Sequence, residues 1–194
     1  MGTTFAKIYN RFLGKITDDM YMELTPEDTI RDLRTLLVES IPGFEFPRKV
    51  LMDNYVIETL VMEENEVEAE DFIVGVVWGE LPEDGSDPIP EVYVERSYFN
   101  VDLTEEEINI LAILMMNAWL QRQVTSIENI RMKYSGSDFK FTSQANHLAK
   151  LLSLLEETQR QSHHMQRLYK RRKIDNKGNI SSNWSIFGLK ARDN

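Results

Sequence analysis

The stretch that most constrains the fold is the apolar run LTEEEINILAILMMNAWL at residues 103–120. Thr104 and Glu107 have the spacing of a capping box, in which each side chain accepts a hydrogen bond from the other residue's backbone N–H. The residues after the cap are apolar on every helical face, so the helix has to be covered on every side. The run is shorter than the roughly 20 residues that cross a bilayer. It therefore predicts a buried central helix.

Helices are predicted on both sides of this run. Apolar residues at helical spacing predict a helix over residues 4–16, and Thr25 followed by Pro26 begins a second that ends at Pro42-Gly43. The central helix is expected to continue to about Met132. A long last helix, capped by Thr142 or Ser143, is expected to bury His147, Leu148, Leu151, Leu152, Leu154 and Leu155. Its polar middle, TQRQSHH at 158–164, is typical of a helix that leaves its own core.

The stretch between the two pairs of helices has a different composition. Residues 50–62, 72–78 and 92–101 are rich in β-branched and aromatic residues, which predicts three strands. The middle strand, FIVGVVW, is almost continuously apolar and is therefore expected to be covered on both faces. Three prolines in the connection that follows exclude a strand interior there and predict an exposed hairpin loop.

The predicted fold class is α+β. It is mainly a helical bundle around a central buried helix, with an inserted small antiparallel β lobe and an extended C-terminal arm. We divide the chain into an N-terminal helical pair at 1–43, the β lobe at 44–101, the central and long C-terminal helices at 102–174, and the arm at 175–194. The first and third segments are expected to share one core.

Charge is distributed unevenly along the chain. Residues 1–97 hold 8 Lys/Arg and 22 Asp/Glu, whereas residues 98–194 hold 14 Lys/Arg and 10 Asp/Glu, within a total net charge of −10. An acidic body with a basic end favours head-to-tail contacts between unlike surfaces. The alternative is that these charges form solvated faces that keep the protein soluble.

No catalytic or metal-binding signature is present in the sequence. The absence of cysteine excludes disulfides, thiol catalysis and Cys-based zinc sites. His163 and His164 are adjacent and lie on different helical faces, and His147 is expected to be a core histidine, so no zinc set forms. The sequence has no phosphate-binding loop, nucleophile elbow or dinucleotide fingerprint. We therefore expect no enzyme and no cofactor.

The clearest charged feature is the basic cluster at the end of the last helix, formed by Arg167, Lys170, Arg171, Arg172 and Lys173. Cations at a helix C-terminus complement the helix dipole, which is the structural interpretation. The functional interpretations are contact with an acidic partner surface or with DNA phosphates.

The arm provides a second candidate interaction site. Trp184, Ile186 and Phe187 are large apolar residues that follow a glycine-containing break. They either fold back onto their own domain or anchor the arm in a neighbouring subunit, by strand addition or by filling a pocket.

Three segments carry a family resemblance: RSYFNVDLTEEEINILAILMMNAWLQRQV, then RMKYSGSDFKFTSQANHL, then MQRLYKRRK. Together they cover roughly residues 96–173. The amino-acid sequence of these segments resembles a structural-protein family of tailed bacteriophages, in particular the crAss-like group of gut phages. Among virion roles, the best match is the head-to-tail connector, as an adaptor or ring protein below the portal.

The resemblance implies a non-enzymatic virion protein that is assembled in the host cytoplasm. It implies a homo-oligomeric ring of about twelve copies around the DNA channel, with the portal protein and tail or nozzle proteins as partners. It leaves open a contact with channel DNA and the level of the ring in the connector, and it implies no membrane. Portal or neighbour contacts fall on the basic cluster and on Trp184, Ile186 and Phe187.

Two other classes of function stay open. A nucleic-acid-binding or other assembly protein would use the basic helix end, although the net charge of −10 works against binding to phosphates. A hydrolase of the tail machinery would need a catalytic carboxylate, and the sequence singles none out.

Overall fold

The computed structural model of the chain describes residues 2–16, 20–63, 66–67, 71–78, 90–133, 141–174 and 180–182. The helices are α1 (Phe5–Leu13), α2 (Met20–Glu23), α3 (Pro26–Ser40), α4 (Glu105–Lys133) and α5 (Phe141–Arg171). The strands are β1 (Tyr55–Val56), β2 (Thr59–Glu63), β3 (Phe72–Trp78), β4 (Pro90–Glu95), β5 (Tyr98–Phe99), β6 (Arg172–Ile174) and β7 (Ile180–Ser182). The α+β class, with a helical body and a small antiparallel β lobe, is confirmed.

Helix α4 begins at the predicted capping box. The backbone N–H of Thr104 donates to Oε2 of Glu107 at 2.7 Å, and the backbone N–H of Glu107 donates to Oγ1 of Thr104 at 3.3 Å. The first half of the helix is the centre of the main core, which α1, α3 and the last turns of α5 complete. Its buried residues there are Glu107, Ile108, Ile110, Leu111, Ala112, Ile113 and Met115. Cover becomes partial after this point, and Ala118 and Trp119 are only half-buried.

The N-terminal helices form as their sequences predict. Helix α3 starts at Pro26, and the backbone N–H of Asp28 donates to the Thr25 side chain at 3.2 Å. Helix α1 is shorter than the predicted 4–16, because the chain turns at Gly14, whose N–H returns to the carbonyl of Asn10. Both helices bury one face against α4, which gives that helix its cover.

Helix α5 keeps one buried stripe from Leu148 to Tyr169, which corrects the expectations for its polar middle and for its buried face. Its polar middle stays in contact with the body because small polar side chains bond locally, as in the 2.7 Å bond from Thr158 Oγ1 to the Leu154 carbonyl. His147, predicted to be buried, is exposed. Leu152 and Leu154 are also exposed, because the stripe follows every third or fourth residue. Its buried members are Leu148, Leu155, Thr158, Ser162, Gln166 and Tyr169.

The β lobe is built on one continuous antiparallel ribbon. Strand β1 pairs with β5 and β2 pairs with β4 in a single register, so Tyr55 is opposite Phe99 and Glu63 is opposite Glu91 without a slip between them. Hydrogen bonds from Arg96 N–H to the Glu58 carbonyl and from Asn100 N–H to the Asn54 carbonyl continue the ladder. The predicted strands 50–62 and 92–101 are thus each interrupted and shifted. At about 3.4 Å per residue the ribbon is about 27 Å long between its end pairs.

Strand β3 was expected to be covered on both faces, and this is wrong. The sheet order is β2-β4-β3, so β3 lies at an edge, where Ile73 and Val76 are 51% and 49% exposed. Its inner face touches the helical body, and Gly75 is required there because an added Cβ would lie 2.5 Å from the Pro26 side chain. The hairpin between β3 and β4 is confirmed by their pairing, whereas its loop lies outside the described residues.

A buried ion pair fixes the lobe to the body. Arg34 on α3 donates to Oε2 of Glu95 at 2.6 Å, and the Glu95 side chain is completely buried. Tyr9 lies close by, and burial, together with the negative charge of Glu95, raises its pKa well above the usual value. A charge buried in this way requires its partner, because an unpaired carboxylate in the interior is strongly destabilising.

The C-terminal end of the described chain is a short hairpin that the sequence did not predict. Strand β6 follows α5 directly and pairs with β7, so Lys173 lies opposite Ser181. Residues 183–194, which form most of the predicted arm, lie outside the described residues. In the parts of the chain that are described, none of the helices has the combination of length and apolarity that a membrane span needs.

We predict that Ala112→Glu prevents stable folding. Ala112 is fully buried in α4, and an unpaired carboxylate at such a site costs about 3 kcal/mol or more. Thermal unfolding followed by circular dichroism provides the measurement. Ser126→Glu on the exposed face of the same helix is the matched control and should melt like the parent. Equal melting of all three chains would contradict a buried central helix.

Candidate interaction surfaces

Cations from three separate segments meet at the start of α4. Arg11 of α1 pairs with Glu105 at 2.6 Å, and Arg172 after α5 pairs with Glu106 at 3.0 Å. The ammonium of Lys49 donates to the carbonyl of Asp102 at 2.5 Å. We call the surface formed by Lys7, Arg11, Lys15, Arg48, Lys49, Lys170, Arg171 and Arg172 the basic end. It gathers residues that lie more than 160 positions apart in the sequence.

Residues 43–51 hold the last turns of α5 against this end. The Gln166 side chain accepts from the Glu45 backbone N–H at 2.7 Å and donates to the Gly43 carbonyl at 3.1 Å. Arg48 lies over the Tyr169 ring, 4.5 Å from its centroid, and donates to the Arg172 carbonyl at 2.6 Å. A cation at these carbonyls stabilises the helix C-terminus.

A buried hydrogen bond joins the start of α4 to the end of α5. Glu107 is 2% exposed and Tyr169 is 1% exposed. The Tyr169 hydroxyl donates to Oε1 of Glu107 at 2.5 Å, while Oε2 accepts from the backbone N–H and hydroxyl of Thr104. Burial and this bond to Glu107 raise the pKa of Tyr169 above its usual range. Glu107 therefore serves both the helix cap and the attachment of α5.

The structure places the predicted basic cluster partly in contacts within the chain. Lys170 lies over the Phe46 ring at 3.8 Å from the centroid, and Arg172 has its ion pair with Glu106. Arg167 is exposed and donates to the His163 carbonyl, Arg171 is exposed, and Lys173 belongs to β6. Trp184, Ile186 and Phe187 lie outside the described residues.

The opposite end of the ribbon is acidic, and we call its end pair, Glu63 and Glu91, the acidic tip. The two residues lie directly opposite each other on neighbouring strands, and both are exposed. Residues 50–95 contain 14 Asp/Glu and no Lys, Arg or His. Two carboxylates of this stretch are paired with cations from outside it, Glu95 with Arg34 and Asp71 with Arg96. Like charges placed directly across a strand pair are destabilising, so the tip favours an added cation.

Sequence reasoning missed the cations of α1 and the opposition at the tip. Cations recur at every fourth residue of the predicted first helix, at Lys7, Arg11 and Lys15. This spacing was sufficient to predict that they share one helical face. The opposition of Glu63 and Glu91 depends on the strand register. The hydrophobic pattern did not determine that register, because apolar residues occupy both faces of β2 and β4.

Apolar surface is exposed at two further places. On the lobe and the loop before it, the residues are Val50, Met52, Val56, Ile57, Val61, Ile73 and Val76. On α5 they are Leu152 and Leu154, in the part of the α4–α5 hairpin whose small core is formed by residues of these two helices. Exposed apolar surface of this extent is typical of interaction sites.

Among the described residues, no group of three or more His, Asp or Glu side chains is arranged so that it could hold a metal ion. His163 approaches the Glu45 carboxylate at 3.5 Å, and His147 and His164 are exposed.

The class that the fold and these surfaces define is an α+β helical protein with an acidic lobe and a basic end. Comparison with known proteins found no matching family model, no matching curated protein and no matching solved structure.

We predict that Tyr169→Phe lowers the free energy of unfolding by about 1 to 3 kcal/mol, because Oε1 of the buried Glu107 loses its donor. The effect depends on pH. Since the folded pKa of Tyr169 is raised, the unfolded tyrosine ionises first, and the contribution of this residue is complete below about pH 10 and declines above it. Urea unfolding at pH 8 and pH 11 tests this.

The difference between the parent and Tyr169→Phe should be smaller at pH 11 than at pH 8. Tyr98→Phe provides a matched control at a half-buried tyrosine of β5. A difference that is the same at both pH values would contradict the raised folded pKa of Tyr169, and no difference at either pH would show that its hydroxyl does not stabilise the fold.

Proposed function

We propose that the chain is a structural virion protein of a tailed bacteriophage. In this proposal it forms a homo-oligomeric ring in the head-to-tail connector, docks below the portal and joins the portal to the tail around the DNA channel. It acts by assembly and carries out no catalysis. The proposal begins from the resemblance of residues 96–173 to a family of phage structural proteins.

The observation that carries the proposal is the separation of charge along the ribbon. Its acidic tip and its base are about 27 Å apart, and the base leads within five residues from Asn100 to the start of α4, where the basic end lies. A subunit with two complementary surfaces at different places associates head to tail. Such a heterologous contact produces a closed ring when the rotation between neighbours closes.

The long α4–α5 hairpin is consistent with a ring subunit. Its two helices have 29 and 31 residues, which at 1.5 Å per residue corresponds to about 45 Å. The half that contains Leu120, Val124, Leu148 and Leu155 has its own small core between the two helices. Exposed Leu152 and Leu154 on this half would be covered by a neighbouring subunit or a tail protein.

Nucleic-acid binding is the second candidate, and the gathering of cations at the basic end favours it. Two of these cations already have carboxylate partners, Arg11 with Glu105 and Arg172 with Glu106, and the whole chain carries −10. A DNA-binding protein should bind duplex DNA as a free monomer, with an affinity that falls steeply with salt. Fluorescence anisotropy at 50 and 200 mM salt would reveal that behaviour.

The decisive experiment is electron microscopy of the purified protein with and without the portal protein encoded in the same genome. We expect a collar of density on the portal and a ring symmetry that matches the portal or is related to it. A protein that binds no portal and no tail component, and forms no ring, would refute the connector role.

We predict that a chain ending at Ser182 stays folded but no longer docks onto the portal. The cut preserves the β6–β7 pairing and removes Trp184, Ile186 and Phe187. Loss of one central aromatic anchor costs an interface about 2 kcal/mol or more. Portal pull-down and circular dichroism provide the two measurements.

A chain ending at Ala191 is the matched control, because it is truncated but retains all three apolar residues. It should dock like the full chain. If the chain ending at Ser182 also docks normally, the arm is not the anchor. If that chain unfolds, residues 183–194 belong to the core of their own subunit.

A further inference from the structure

Beside the start of α4 lies a groove that is lined by the cations of α1. Its volume is about 480 Å³, and its walls are formed by Lys7, Asn10, Arg11, Gly14, Lys15, Glu105 and Ile108. The three cations follow one another at four-residue intervals, so they share one side of α1 and of the turn after it. The opposite side of the helix holds the buried Phe5, Ile8, Tyr9 and Phe12.

Among the described residues, three cations of this groove meet a single carboxylate in its lining, that of Glu105. Arg11 has a carboxylate partner, Glu105, and the two side chains are 46% and 78% exposed, so solvent screens the pair strongly. Within the described residues, Lys7 and Lys15 form no ion pair. Lys7 and Arg11 are also four positions apart on a helix, an arrangement in which like charges repel.

We infer that this groove receives the acidic tip of a second copy of the chain. Glu63 and Glu91 of one copy would lie against Lys7 and Lys15 of the next. Each surface repels itself when it is alone, since two carboxylates face each other at the tip and two cations face each other on α1. Association adds attractions between cations and carboxylates that offset both repulsions. The inference rests on the proposed ring, because both require copies that associate head to tail.

The length of the ribbon favours an acidic tip that comes from another copy. In one register, the ribbon leads from its base near α1, where Phe5 N–H bonds to the Ser97 carbonyl, to the Glu63–Glu91 pair. At about 3.4 Å per residue, the tip lies about 27 Å along the ribbon from the Tyr55–Phe99 pair at its base. Residues 50–95 also contain no cation of their own, so a balancing charge for the tip has to come from elsewhere.

A zero-length carbodiimide reagent tests this contact directly, because it joins an amine to a carboxylate only where the two are in contact. Equal amounts of unlabelled and ¹⁵N-labelled full-length protein are mixed, both free and on the portal, and the linked peptides are identified by mass spectrometry. We expect mixed-isotope peptides that join Lys7 or Lys15 to Glu63 or Glu91. Mixed-isotope links at other positions only, or none at all, would overturn the inference.

Charge reversal gives an independent test. Lys7→Glu with Lys15→Glu, or Glu63→Lys with Glu91→Lys, should weaken self-association about tenfold at low salt, because several attractive pairs become repulsive. A chain with all four changes should regain association, since each reversed groove meets a reversed tip. Lys150→Glu, an exposed change on α5, is the control and should have no effect. Failure of the fourfold variant to regain association, while it remains folded by circular dichroism, would contradict the contact.

The outcomes distinguish this inference from the proposed function. Portal collars that form without links between groove and tip would leave the connector role in place and overturn the contact proposed for the groove. If the expected links form in a protein that never binds a portal, the contact between groove and tip stands and the connector role is refuted. Protection of Lys7 and Lys15 by duplex DNA, with no links between copies, would assign the groove to nucleic acid and also overturn the inference.

Discussion

The buried carboxylate of Glu107 is the interaction on which the rest of the structure depends. A charge in the interior needs hydrogen-bond partners, and both oxygens of Glu107 have them: the backbone and hydroxyl of Thr104 on one side and the Tyr169 hydroxyl on the other. The bonds from Thr104 begin α4, and the bond from Tyr169 holds the end of α5 beside the start of α4. Once α5 is held there, its terminal cations lie beside those of α1. The hydrogen bonds of the Glu107 carboxylate therefore help to bring the cations of the basic end together.

The β lobe is attached to the body at one end and carries unbalanced negative charge at the other. It is attached to the helical body by a buried ion pair between Arg34 and Glu95 and by close contact at Gly75, and residues 50–95 contain 14 Asp/Glu and no Lys, Arg or His. A lobe of this kind is stabilised at its base and electrostatically unsatisfied at its tip. Together with the basic end, it gives the chain two surfaces of unlike charge, which is the arrangement that the proposed head-to-tail contact requires.

Much of the fold could be predicted from local patterns, and the interaction surfaces could not. Periodicity and capping identified α3 and α4, and periodicity identified α5, because helix signals lie within a few residues of one another. The predicted cap of α5 at Thr142 or Ser143 was wrong, because the helix begins at Phe141. The prediction for His147 failed because a run of leucines hid which residues fall on the stripe that faces α4. Cover on both faces of β3 was wrong because the order of strands in a sheet is a non-local property. Arg11 forms an ion pair with Glu105, 94 positions away. The sequence around either residue does not predict this pair.

The central position of α4 also has a consequence for synthesis. Helices α1 and α3 bury their apolar faces against residues that are made much later, since Phe5 and Leu111 belong to one core. At 5 to 20 residues per second, translation of the intervening hundred or so residues lasts on the order of 5 to 20 s. During that interval the β lobe supplies part of the cover, through contacts such as those of Phe5 with Phe99 and of Tyr9 with Phe72, but the surface of α4 is still missing. We expect such a chain to rely on chaperones on the ribosome, and to tolerate poorly any slowing of translation before α4 emerges.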